Sequence, residues 1–275
     1  MYEEPYRWIE AVGNRRQYLD DQFKHGSPIV ALSYDNGILL LTVSHGTPKL
    51  YEIYDRIALG GMGHPADLEK LRFQLLDMAH LEGFNRSPSD VTGARLLKNG
   101  LAPTVKQAFE EIFKAPFITK ILLAELGETP ERNQFLTIDY DGTFEETKLC
   151  AVVAGTPSIQ AQLLKEVNGQ RGQKVPSVTE AIDLAARAWA KGSLLHRTLA
   201  SDVNKNEKRT EDREEEVQKA EFDDEQVLNH LRQTLLDSTL ECSLLDYTIA
   251  GSSKYRVLHN DEVATLLPST MQPAQ

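Results

Sequence analysis

The sequence predicts an α+β protein in which antiparallel sheets lie between layers of helices. Three observations lead there. Helical segments come in pairs and alternate with groups of strands, whereas a doubly wound parallel sheet would alternate single strands with single helices. The strand groups are separated mostly by turn signals short enough for hairpins. No 20–50-residue repeat is present, which excludes a solenoid or propeller.

The elements follow in order. Residues 4–24 carry Tyr6, Ile9, Val12, Tyr18 and Phe23 among many charges, a helix with a broken apolar stripe and a weak point at Gly13-Asn14. Residues 25–43, HGSPIVALSYDNGILLLTV, hold two apolar runs around Asp35-Asn36-Gly37. Asn-Gly between such runs signals a hairpin, because a type I′ turn needs positive φ at both central positions. The two strands are expected at 28–34 and 38–44, and a second pair near 50–54 and 56–62. Residues 66–83 space Leu68, Leu71, Leu75 and Met78 as an amphipathic helix ending before Gly83. A second helix follows, capped by Ser89 or Asp90, with Leu97, Leu101, Val105, Phe109 and Ile112 on one face; Gly100 and Pro103 disturb its middle. Strands return at 118–126, at 134–140 before an Asp141-Gly142 turn, and at 148–155. Helices follow at 157–168 and at 178–195, where Val178, Ile182, Ala185, Ala186 and Trp189 share a face. A helix over 224–237, a hairpin of strands 240–249 and 255–259, and a short helix capped by Asn260 or Asp261 close the chain.

The 275 residues suffice for one large domain or two small ones. The formal charge of −11 comes without a basic stripe, so nucleic-acid binding is not expected. Residues 201–225 hold eleven acidic against five basic residues and few large apolar ones. Such a stretch buries too little surface to offset its ordering entropy, and residues 200–221 read as an acidic, flexible insertion. Cys150 and Cys242 sit in apolar runs and read as buried free thiols. The amino-terminal residues are too charged for a signal peptide, and no apolar run approaches membrane-spanning length, so a cytoplasmic protein is expected, without membrane partners. No cofactor is expected: the histidines, among them His25, His45 and His64, lack metal-ligand spacing, and Gly60-Gly61-Met62-Gly63 lacks the residues of a phosphate loop. Those small residues instead suit close sheet-to-helix packing.

Ser27 raises a chemical question. A hydroxyl residue after a glycine at a strand start suits a nucleophile released by self-cleavage, whose free amine then acts as the base. It equally suits an ordinary first residue of a strand.

Several segments, in order, resemble the proteasome subunit family. GSPIVALSYDNGILLL is similar to the family's opening hairpin, and KLYEIYDRIALGGMG to the strand pair that carries the family lysine. RSPSDVTGARLLKNGLAPTVKQ resembles the segment between its first two core helices, with the Asp90-Val91-Thr92-Gly93 core of bacterial α-type subunits. FLTIDYDGTFEE and AVVAGT resemble later strands. The likeness covers roughly 20–195 and 238–267, and Tyr54-Asp55-Arg56 together with Asp90-to-Gly93 points to the bacterial α-type branch. It implies a four-layer αββα sandwich over 26–199 and 222–268, preceded by a gate segment and helix over 1–25.

The resemblance also bears on Ser27. Catalytic β-type subunits use an amino-terminal threonine, an aspartate and a lysine; in register these fall on Ser27, Val43 and Lys49. One of the three is kept, one is a weaker hydroxyl followed by Pro28, and one is missing. With a helical segment before it, Ser27 has no free amine unless the chain is cut at Gly26. The resemblance therefore implies a non-catalytic α-type subunit: a homo-heptameric outer ring that gates entry of unfolded protein substrates, templates β-type subunits and docks a regulatory AAA ATPase. The ATPase's carboxylate terminus would meet a pocket of Lys49, Gly63 and His64. Two other readings stay open: a self-processing hydrolase with Ser27 as nucleophile, and a proteasome-like scaffold ring without β partners.

Overall fold

In the computed structural model, the structure describes residues 4–172, 174–203, 220 and 222–272. Helix α1 (Glu4–Phe23) leads into strands β1 (Ile29–Tyr34), β2 (Gly37–Ser44), β3 (Leu50–Tyr54) and β4 (Ile57–Gly63). Helix α2 (Pro65–Asn85) follows, then the short α3 (Gly93–Leu96), a π turn (Leu97–Leu101) and α4 (Ala102–Glu110). Strands β5 (Thr119–Glu125), β6 (Gln134–Ile138), β7 (Phe144–Thr147) and β8 (Cys150–Val153) precede α5 (Pro157–Arg171) and α6 (Val178–Val203). The described chain closes with α7 (Asp224–Thr234), β9 (Thr239–Asp246), β10 (Tyr255–Leu258) and α8 (Asn260–Leu266).

The strands form two five-stranded sheets, β10-β9-β2-β1-β8 and β3-β4-β5-β6-β7, with every pairing antiparallel. Alternation along each strand divides the core into three layers. Val30, Leu32, Leu39 and Leu41 face α5 and α6, together with Ile182, Ala185, Ala186 and Trp189. Ile29, Ala31, Ile38 and Leu40 face the other sheet, meeting Leu122, Ala124 and Phe135. Ile121, Leu123 and Leu136 face α2 and α4, meeting Leu68, Leu71, Leu75 and Val105. The arrangement is the expected αββα sandwich.

Local signals explain most boundaries. Pro65 opens α2, where the His64 ring accepts from the Ala66 N–H, and Thr156 caps α5 by accepting from Ile159 ahead of Pro157. Asp223 and Gln226 form a capping box on α7. Gly61 packs as the small-residue reading expected: a Cβ there would lie 2.1 Å from Leu68 Cδ1.

Several expectations need correction: α2 runs on through Gly83 to Asn85, and His259, not Asn260 or Asp261, is the cap of α8. The β1–β2 hairpin forms, with Tyr34 opposite Gly37, but its turn is not type I′, because no described non-glycine residue has positive φ. The glycine is required instead by β9: a Cβ on Gly37 would lie 1.8 Å from the Leu245 carbonyl oxygen. Thr92, not Ser89 or Asp90, caps the helix after α2, and Pro88–Asp90 is a 3-10 turn. Pro103 is accommodated by the π turn, in which Ala102 donates to Leu97 five residues back; Ile112 lies beyond the helix and is exposed. β7, with the sequence FEET, has no apolar face to announce it. Finally, α6 runs to Val203, because Leu195 and Leu199 continue its buried face. Most of the acidic insertion, 204–219 and 221, lies outside the described residues.

Candidate functional site

β1 begins where the two sheets meet α1, and Ser27 lies two residues before it. The hydroxyl of Ser27 donates to the Val43 carbonyl oxygen (2.8 Å) and accepts the indole N–H of Trp189 (2.9 Å). The neighbouring Thr42 hydroxyl, 3.3 Å away, gives its proton to Pro28 O (2.7 Å). The Ser27 proton is thus held by a carbonyl, which is not a base. The third residue predicted here, Lys49, reaches the same atom: its ammonium donates to Val43 O at 3.1 Å. Ser27 and Lys49 therefore meet on the backbone carbonyl of Val43, whose side chain packs into the layer facing α5 and α6.

Lys49 is only partly exposed. Burial lowers its pKa below the usual lysine value, and the Glu241 carboxylate opposes the shift. Glu241, on β9, also accepts the backbone N–H groups of Lys49 (2.9 Å) and Leu50 (2.8 Å), which pins the start of β3 to the other sheet.

The peptide joining Gly26 to Ser27 is clamped. The Gly26 carbonyl oxygen lies 2.7 Å from His196 Nδ1, and the Gly155 N–H donates to His196 Nε2 at 2.9 Å. A backbone N–H only donates, so Nε2 is the acceptor and Nδ1 carries the proton. His196 is buried, which pushes its pKa down to about 4; the Gly26 bond opposes this, while Lys120 and His25 add to it. A Cβ on Gly155 would meet both Phe23 O (2.4 Å) and the His196 ring (3.0 Å).

α1 covers this end of the sheets. Leu19 and Phe23 are fully buried in the inter-sheet layer. Burial of each contributes about 1.5–3 kcal/mol. Phe23 stacks on Tyr140, and the Lys120 ammonium sits over both rings. Tyr140 donates to Asp20 (2.6 Å), and Arg16 pairs with Asp141 (3.1 Å).

The two other predicted pocket residues follow on the neighbouring strand: the Gly61 N–H donates to the Lys49 carbonyl (2.9 Å), two residues before Gly63. Gly63 ends β4 at φ +129°, where a Cβ would be 1.9 Å from Ile118 O. His64 spends Nδ1 on the Ala66 N–H and lines an open groove between the first turns of α2 and the end of α4, with Lys70, Gln107, Lys114 and Phe117. The Lys49 ammonium is turned to Val43 O, while the His64 ring lines this groove. Among the described residues no group of histidine, cysteine and carboxylate side chains is arranged to hold a metal. Cys150 and Cys242 are buried and free, and burial pushes both thiols up, Cys150 to about 11. No described helix is long and apolar enough to cross a membrane.

Comparison with known proteins matches residues 23–201 to the family model described as proteasome subunit. The chain belongs to the proteasome subunit family. Its similarity is to proteasome α-type subunits of bacteria. It is 31% identical over 184 residues to the proteasome subunit alpha of Streptomyces scabiei, an alignment covering 66% of this chain and 72% of that one. It is 32% identical over 182 residues to the proteasome subunit alpha of Actinosynnema mirum, covering 66% and 67%. A third relative, the proteasome subunit alpha of Xylanimonas cellulosilytica, is 33% identical over 174 residues, covering 62% and 69%.

Trp189, His196 and Glu241 escaped the sequence reading. They stand 140 or more positions from Ser27 and Lys49, and no local pattern links them. Trp189 was recognised only as one residue of a buried helical face.

Proposed function

We propose that the chain is a non-catalytic α-type ring subunit of a bacterial proteasome core particle, acting in the cytoplasm. Seven copies form an outer ring, which assembles with β-type subunits, gates the entry of unfolded protein substrates and docks a regulatory AAA ATPase. The observation that carries this reading is the state of Ser27. Its proton rests on the Val43 carbonyl oxygen, its other side takes the Trp189 N–H, and Val43 falls in register where a catalytic subunit has its acid. A hydroxyl so placed gives its proton to a carbonyl, with no carboxylate in register to support a nucleophile. Sequence similarity to α-type relatives supports the same assignment.

Co-expression with a β-type subunit from the same source tests the reading. Co-purification as a barrel in which only the β-type chain reacts with a threonine-directed inhibitor is the expected result. A ring that excludes the β-type chain would favour a stand-alone scaffold, and inhibitor attached to Ser27 would favour the hydrolase.

A further inference from the structure

Between α4 and β5, residues 111–118 cross the end of the molecule as an irregular strap. At its tip Ile112 is exposed and Phe113 completely so, and the Lys114 ammonium pairs with Glu111 at the surface (2.9 Å). From the rest of the molecule the tip is held through backbone carbonyls by one side chain from α1. The Arg15 guanidinium donates to the carbonyls of Ala108 (3.0 Å), Phe109 (2.8 Å) and Glu111 (3.1 Å) through Nη1, and of Ile112 (2.9 Å) and Lys114 (2.8 Å) through Nη2. The last carbonyls of a helix lack intrahelical partners and carry the negative end of its dipole, so one fixed cation can gather several of them.

The far end of the strap is held by α2. Asp67 accepts the Ile118 N–H (3.0 Å), the His64 N–H donates to the Ile118 carbonyl (2.8 Å), and the Lys70 ammonium lies 5.2 Å above the Phe117 ring. The strap is also one wall of the groove beside His64, which Glu111, Lys114, Ala115, Pro116, Phe117 and Ile118 help to line.

We propose that the 111–118 strap couples the groove at the start of α2 to the seating of α1, with Arg15 as the positioning residue that makes the link. A displacement of the strap from the groove side pulls the Glu111, Ile112 and Lys114 carbonyls away from one guanidinium and loosens α1 where it covers the Gly26–Ser27 peptide. Loosening α1 frees the strap in turn, because coupling is reciprocal. The coupling belongs to the single chain and needs no ring. Its use by a docked ATPase tail beside Gly63 and His64 rests on the function proposed above.

Amide hydrogen exchange of the isolated full chain, read by mass spectrometry, tests the coupling without that function. Asp67→Ala removes a contact between α2 and the strap and touches no residue of α1. It should speed exchange in the strap and also in residues 15–23 by about tenfold, as expected for a shared local opening. Arg15→Gln should speed both segments too. In the Arg15→Gln background, adding Asp67→Ala should no longer change α1. Asp223→Ala, which removes the α7 cap, is the control for general destabilisation and should leave both segments unchanged. The proposal is overturned if Asp67→Ala loosens the strap alone, or if Asp223→Ala speeds α1 equally. Should Asp67→Ala not fold, Asp67→Asn keeps a side-chain acceptor and should produce the same pattern at smaller amplitude; confinement of its effect to the strap overturns the proposal as well.

Discussion

Ser27 and Lys49 meet on a single atom, the carbonyl oxygen of Val43, at 2.8 and 3.1 Å. In a working amino-terminal nucleophile site, the lysine would tune a hydroxyl whose proton passes to a base. Here both groups donate to the same neutral acceptor, and Trp189 donates to the remaining side of the hydroxyl. The result is a packing contact that ties the residues just before β1 and β3 to β2 and α6.

Ser27→Ala should therefore leave peptide hydrolysis by a reconstituted particle unchanged. It should still destabilise the chain by about 1–3 kcal/mol, because the Trp189 N–H and the Val43 carbonyl lose a buried partner. Denaturant unfolding of the chain and peptidase assays of the particle read the two effects separately. A loss of peptidase activity with normal assembly would overturn the non-catalytic reading.

His196 makes stability depend on acid. Its folded pKa is depressed to about 4, below the usual value of 6.5. Between those values the unfolded chain binds the proton and the folded chain does not, so stability falls as pH drops from about 6.5 towards 4 and levels off below. A shift of this size corresponds to about 3 kcal/mol at most. His196→Gln should flatten that part of the pH profile while lowering stability at neutral pH. An unchanged slope between pH 6.5 and 4 in the variant would show that another group sets it.

Gly63→Ala should destabilise the isolated chain by about 2 kcal/mol or more, since the left-handed backbone and the Ile118 carbonyl both oppose a Cβ. A docking defect in this variant therefore reports on docking only after its folding has been measured. Thermal unfolding of the single chain checks this; an unaltered melting temperature would mean the strand end can shift.

Lys49→Ala should weaken ATPase-driven protein degradation while sparing small peptides, if the docking pocket includes this ammonium. Removing one member of a desolvated charge pair typically costs about 2–5 kcal/mol in binding. Lys49→Arg should rescue only in part, because a planar fork replaces a point charge. In the single chain the ammonium is turned to Val43 O, so docking requires it to rotate or share. Wild-type ATPase affinity in the Ala variant would move the pocket elsewhere, with the His64 groove the first place to look.

Regular amphipathic periodicity was the most readable part of the chain. Leu68, Leu71 and Leu75 declared α2, and the apolar runs around Asp35-Asn36 declared the first hairpin. Elements without a buried pattern were hidden: Phe144–Thr147 is an edge strand with an exposed sequence, and its pairing with β6 is visible only in space. Gly37 was read as a turn residue, yet a strand over 200 positions away explains it. The candidate site divides similarly. Ser27, Val43 and Lys49 were singled out only through resemblance, and the structure has Ser27 and Lys49 sharing the Val43 carbonyl oxygen. Arg15, Trp189, His196 and Glu241 each act on backbone or side chains from remote segments, and nothing in their own neighbourhoods marks that role.

Native mass spectrometry of the particle formed with a β-type partner tests the central claim most directly. The predicted result is a particle with seven copies of this chain in each outer ring, every copy retaining the bond between Gly26 and Ser27. Copies shortened to begin at Ser27, or a chain that stays monomeric beside its partner, would contradict it.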